Sequence, residues 1–279
     1  MKKILVPTEF TYLSKCALNL GVQLSKAANS SMSVVSVIEP NYNSFMEEGE
    51  QYSHDPTSSL KNISITEKAR ERMHERAEEI SQMLPESSSV APKIIYGKKV
   101  EALVKEIEES KPDLVIIGGD LYEQEEKFAT DFLKSSPAPV VILKCMISGL
   151  DRFKDIVLLA DIENDSSQLI SRVKDLQELL QAKIHVLRVN TPRNFLAPKK
   201  CTATLEQYAS MHSLEDITLI SLDATTEMSG LFSYAETIDN AFLCLGIHER
   251  GLLEKLMVKE TNPDEVIINS MHPVWTYKD

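Results

Sequence analysis

Four carboxylates crowd into the seven residues from Asp120 to Glu126: Asp120, Glu123, Glu125 and Glu126. They follow Gly118-Gly119, which closes the apolar run Leu114–Ile117. An apolar run, a pair of glycines and then a helix-like segment is the outline of a phosphate-binding turn. Glycine lets the backbone approach closely, and amide N–H groups at the next helix start point at an anion. Carboxylates in that place repel a triphosphate. They can also take up the helix-end benefit themselves, worth roughly 0.3–2 kcal/mol. The expected reading is a phosphate turn closed by its own acids, with a solvated acidic face. A hard cation such as Mg²⁺ or Ca²⁺ is the alternative occupant. The spacing does not match an EF-hand loop, and no glycine stands at its turn position.

A second polar group, His248, Glu249 and Arg250, follows the apolar run Ala241–Gly246. In an α/β chain that is where a ligand binds, but no nucleophile stands beside His248 in sequence. The six histidines are scattered, and none has metal-ligand spacing. No Gly-x-Ser-x-Gly, Walker or Cys-based nucleophile motif is present. The chain is therefore expected not to be an enzyme and to use no catalytic residue and no metal.

The 279 residues carry a net charge of -12, with 43% hydrophobic and 26% charged side chains. This suits a globular protein of two domains. It argues against a surface for nucleic acid or an anionic membrane. No run of about 18 apolar residues is present. Cys16, Cys145, Cys201 and Cys244 lie far apart without a Cys-x-x-Cys, as expected for reduced thiols in the cytoplasm.

The elements that would position these residues come twice. "KKILVPTE" (Lys2–Glu9) corresponds to "KDIVLLAD" (Lys154–Asp161), each an apolar run ending in an acid. "MSVVSVI" (Met32–Ile38) corresponds to "KIHVLRV" (Lys183–Val189), and "KIIYG" (Lys93–Gly97) to "ITLISLD" (Ile217–Asp223). "DLVIIGG" corresponds to "AFLCLG", and "PVVILK" (Pro139–Lys144) to "PVWTYK" (Pro273–Lys278). Helical patterns lie between them, at Val100–Ser110, Asp131–Ser135, Met228–Asp239 and Asp264–Ser270. Strands alternating with helices call for parallel sheets covered on both faces. The predicted domains are 1–147 and 148–279. Residues Asn41–Asn62 read as a polar surface loop. A solvated helix follows, with Thr66 as N-cap and a thin stripe through Ala69, Met73, Ala77, Ile80 and Met83. Trp275 is expected to pack at the domain interface.

The ordered series "ILVPTEF", "SVVSVIEP", "YGKKVEALVKEIEESKPDLVIIGG" and "SSPAPVVILK" resembles the universal stress protein family, as a tandem of two such domains. The resemblance implies two doubly wound five-stranded parallel sheets of the adenine nucleotide alpha hydrolase-like type. It implies the strand order 3-2-1-4-5, with the two last strands side by side. Many members bind ATP through G-x2-G-x9-G-(S/T) after the fourth strand, with an Asp ending the first strand; others lack the pattern and do not bind ATP.

Both halves depart from that pattern. Gly118 matches the first glycine, with Gly119 beside it. Leu121 replaces the second glycine, Glu126-Lys127 the final pair, and Glu9 the first-strand Asp. In the second half Asp161 keeps the acid, and Gly246 matches the first glycine. Arg250 or Gly251 falls near the second, and Glu260-Thr261 stands for the last pair. Arg188 could pair with Asp161 across adjacent strands if they share a face, or else reach to solvent. The resulting expectation is a regulatory or protein-interaction protein with weak or no ATP binding and no resident cofactor. Its partner would be an unidentified protein or a second copy in a homodimer. Two alternatives are ATP or AMP in the second cleft, and another small molecule in the same clefts.

Overall fold

The computed structural model describes residues 1–39, 56–118, 128, 131–162, 167–247 and 270–278. Among these residues, ten strands form one sheet in the order β3-β2-β1-β4-β5-β10-β9-β6-β7-β8. In the first half these are β1 (Lys3–Pro7), β2 (Ser31–Ile38), β3 (Val90–Tyr96), β4 (Leu114–Gly118) and β5 (Val140–Leu143). The second half supplies β6 (Asp155–Leu159), β7 (Lys183–Asn190), β8 (Ile217–Asp223), β9 (Ala241–Ile247) and β10 (Val274–Lys278). Each half thus has the order 3-2-1-4-5. Pairing is parallel within each half. It is antiparallel where the halves meet, with Trp275 of β10 opposite Val141 of β5. That junction is the one expected from the repeat. It removes two edges that would otherwise offer unpaired backbone groups.

Two apolar layers cover the sheet because alternate strand residues face opposite ways. Ile4, Val6, Ile156, Leu158, Ile184 and Val186 face α1 (Tyr12–Ala28), α2 (Pro56–Met83), α4 (Ser167–Leu180) and α5 (Pro198–Met211). Leu5, Val115, Val157, Leu159, Leu187 and Val189 face α3 (Lys99–Ser110), α6 (Glu227–Ala235) and the helical residues 131–135. Trp275 is buried in the first layer, near the junction, as expected.

Three sequence readings need correction. Helix α2 starts at Pro56, ten residues before Thr66, so Thr66 lies inside it and is no cap. Proline is pre-set for a first helical turn, and that signal lay inside the presumed loop. Helix α5 was not anticipated, although Cys201, Leu205, Tyr208 and Ala209 form its buried stripe at helical spacing. Helix α6 ends at Ala235, four residues short of Asp239. All four cysteines are free thiols, as expected.

Candidate functional site

Glu9 follows β1 on a short, highly constrained turn. Its N–H donates to Ser14 Oγ (3.0 Å), and the Phe10 N–H donates to Thr8 Oγ1 (3.2 Å). Thr11 caps α1 by accepting from the Ser14 N–H (3.2 Å). Phe10 sits at φ 62°, in the left-handed region that a bulky side chain rarely enters. The Arg72 guanidinium lies 5.7 Å above its ring. These contacts fix the backbone of the turn that carries Glu9.

That carboxylate is paired with the Lys99 ammonium, from the first residue of α3. The same ammonium stands 4.4 Å from the Phe128 ring centroid, and Phe128 stacks on Phe132 at 5.6 Å. A cation held between a carboxylate and an aromatic face gains from both. Glu39, just after β2, accepts from the Lys99 N–H (2.7 Å). Lys98, the N-cap, makes no side-chain cap bond. A carboxylate of the chain itself therefore occupies the α3 N-terminus, where an anion would be favoured. The sequence reading anticipated self-satisfied amides after β4. The turn after β4 lies outside the described residues; among the described residues a comparable arrangement stands at the start of α3. Lys99, Glu39 and Phe128 were missed. Their signal was a lysine pair directly after an apolar run, on the same sheet edge as Glu9.

Gly118 has a packing role. A Cβ built there would meet the Leu13 carbonyl carbon and oxygen at 2.5 Å each. Helix α1 thus rests its backbone against the end of β4, and only glycine fits. Gly119 and the acids Asp120, Glu123, Glu125 and Glu126 lie outside the described residues.

In the second half, Asp161 follows β6 and is half-buried. Gly246 is buried in β9, opposite Tyr277 of β10. His248, Arg250, Gly251 and Thr261 lie outside the described residues. Arg188 is 9% exposed, so it does not reach to solvent. It donates from Nη2 to Asn194 O (2.7 Å), and its Nε is buried without a hydrogen-bond partner. Among the described residues no ion pair joins it to Asp161. Strand parity is the reason. Arg188 continues the Ile184–Val186 face, whereas Asp161 continues the Val157–Leu159 face.

Around Arg188 the second half fills its own strand ends with polar contacts. Asn194 Oδ1 accepts from the Thr191 N–H (2.6 Å), and its Nδ2 donates to Glu227 (2.9 Å). Asn190 Nδ2 donates to Asp223 (3.0 Å). The buried Cys201 thiol faces Asn190 Oδ1 and Leu196 O, each at 3.3 Å. Burial pushes that thiol up, but the Ser221 hydroxyl, Asn190 and the Arg188 guanidinium outweigh it and hold the thiol below its ordinary value. Helix α6 opens with a capping box, Thr226 and Ser229 satisfying each other's backbone N–H groups. No lysine lies in its first turn. Among the described residues no group of three His, Cys, Asp or Glu could hold a metal ion. Among them, too, no helix is long and apolar enough to cross a membrane.

Two α/β units of order 3-2-1-4-5, each with an acid after its first strand, define a tandem doubly wound α/β protein. The Universal stress protein family profile matches residues 1–144, and the chain belongs to that family. A universal stress protein from Archaeoglobus fulgidus is similar in fold (TM-score 0.72, 17% identity), covering 99% of this chain and 96% of that one. A putative universal stress protein from Pseudomonas aeruginosa has TM-score 0.61 and 14% identity, with coverages of 100% and 93%. Comparison with curated proteins gives no match.

Proposed function

We propose that this chain is a non-catalytic regulatory or protein-interaction member of its family whose first cleft does not take ATP. The observation that carries the reading is Lys99. Its ammonium lies between Glu9 and the Phe128 ring, at the carboxyl edge where a doubly wound sheet receives its ligand. Glu39 already holds the α3 N-terminus. A nucleotide would have to displace a paired cation and face two carboxylates. The test is mass spectrometry of whatever co-purifies, followed by calorimetric titration with ATP and Mg²⁺. No bound nucleotide and no heat from the first cleft are expected. Binding that is lost in Glu9→Ala would overturn the reading.

A second reading, ATP or AMP in the second cleft, is favoured by one observation. Asp161 follows β6 with Gly246 on the neighbouring strand β9, and α6 brings no lysine to that acid. Binding abolished by Asp161→Ala and kept by Glu9→Ala would establish it. Neither reading calls for a metal or a catalytic residue. A cytoplasmic location and a homodimer are compatible with both.

A further inference from the structure

Strand β3 is the outermost of the first half, and among the described residues it has a neighbour on one side only. Its residues alternate between two faces. Lys93 turns to α3, where it pairs with the buried Glu106. Pro92, Ile94 and Tyr96 belong to the opposite set. With Arg70, Met73 and His74 of α2, and Lys93 at the rim, they line a groove of about 450 Å³. Met73 and Ile94 join the core beneath it, while Tyr96 is 55% exposed. Among the described residues no carboxylate lines the groove. His74 pairs with Glu78 one turn along α2 (3.2 Å), and among the described residues Arg70 has no ion-pair partner. Among the described residues the charged lining of this groove is thus basic, on a chain of net charge -12.

The backbone of β3 adds a second feature. The Met32 N–H donates to Ser89 O (2.8 Å), and the Gly97 N–H donates to Ile38 O (3.2 Å). Odd-numbered residues of β3 therefore direct their backbone groups at β2. In a parallel ladder the alternate residues, Val90, Pro92, Ile94 and Tyr96, direct theirs outward. Pro92 removes one donor from that edge, as proline on an edge strand does. The N–H groups of Ile94 and Tyr96 remain, beside the groove.

We propose that this groove receives an acidic segment of a partner protein in extended conformation, paired along Ile94–Tyr96 with a carboxylate on Arg70. Strand addition to a free edge supplies backbone hydrogen bonds, and side-chain pockets supply the selection. A compact small molecule suits the groove less well. Such sites enclose most of their ligand, whereas one helix and one edge strand leave this groove open along the strand. A second copy docking β3 against β3 would bring two Arg70 grooves together and two proline gaps into one ladder. The groove lies two strands out from β1, so the proposal goes beyond the cleft readings and stands independently of nucleotide in either.

The test uses the full chain without nucleotide and a fluorescent synthetic peptide of alternating Glu and Val, with a Gln-for-Glu peptide as control. The Glu peptide is expected to bind, and the control to bind much more weakly. Arg70→Glu should weaken binding by about tenfold or more. Arg70 is exposed, so an unchanged urea midpoint will show that this variant is folded. Binding should slow hydrogen exchange at the Ile94 and Tyr96 amides. Any one of four results overturns the proposal: no binding, equal binding of the Gln peptide, unchanged binding by Arg70→Glu, or binding without protection of those two amides.

Discussion

At the carboxyl end of β1 the acid is Glu9, and Lys99 reaches it from the first turn of α3. At the matching end of β6 the acid is Asp161, and α6 begins with Thr226, Glu227 and Ser229, which bond to one another or to Asn194. In the first cleft the acid is met by a cation brought from a neighbouring helix. The second keeps its helix start self-contained and sets its buried cation, Arg188, on the other face of the sheet. One strand order therefore supports two different fillings. The filling is decided by which residue opens the helix after the third strand of each half.

The largest test of this contrast is Gly118→Ala. The added methyl meets rigid backbone at 2.5 Å, so α1 must move off β4. A loss of about 3 kcal/mol or more is expected in urea unfolding. Gly230→Ala in the second half meets the Val189 side-chain methyls at 2.5 and 2.7 Å, side-chain atoms and not backbone; a smaller loss of about 1–2 kcal/mol is expected. Equal costs would mean that the backbone contact at Gly118 constrains no more than the side-chain contact at Gly230.

Next comes Lys99→Ala, which removes both the Glu9 pair and the Phe128 contact. The two side chains remain 26% and 39% exposed, so solvent screens the pair. A cost of about 1 kcal/mol is expected, with a coupling to Glu9→Ala of about 0.5–1 kcal/mol in a double-mutant cycle. Zero coupling would show that the closure of the first cleft is only apparent.

Arg188→Met should behave in the opposite sense. A buried guanidinium without an ion pair costs desolvation that one carbonyl bond offsets only in part. The substitution is expected to be neutral or stabilising by about 1 kcal/mol in urea unfolding. Because Arg188 and Asp161 lie on different faces, ATP affinity in calorimetry should be the same in both proteins. A gain in affinity would put Arg188 in the second cleft after all.

The smallest effects concern acid. Asp113 accepts from the Lys2 and Lys3 N–H groups (2.6 and 3.0 Å) at the start of β1. Burial pushes its carboxyl up, but those bonds win and hold it below the usual value. His272 accepts from the Ala241 N–H (3.3 Å) at the start of β9, and burial holds its imidazole below the usual value. In both cases the unfolded chain binds protons more readily. Stability is thus full above the unfolded pKa and falls as pH drops through the folded one. The His272 share should begin to fall as the pH drops below an ordinary imidazole value of about 6.5, and the Asp113 share only below about 3.9, each being lost fully below the folded pKa. Unfolding measured against pH should show the first step abolished by His272→Asn and the second by Asp113→Asn.

The paired runs Lys2–Glu9 and Lys154–Asp161, with their four following partners, were enough to read two repeats of five strands. Burial on both faces writes itself as a short continuous apolar run, and the run survives in a single sequence. The resemblance to one family supplied the strand order and the meeting of the last strands, and the β5–β10 pair agrees with both. The acids Glu9 and Asp161 were also legible, because each directly ends such a run. Only the tertiary structure decided what meets them. Lys99 is 90 residues from Glu9, and no local pattern encodes that contact. The faces of Arg188 and Asp161 depend on counting parity from strands whose ends the sequence blurs. Gly118 carried the outline of a ligand turn, yet its neighbour is the Leu13 backbone. A glycine required for close helix packing and one required for a phosphate look alike until the chain has folded and the neighbour is in place.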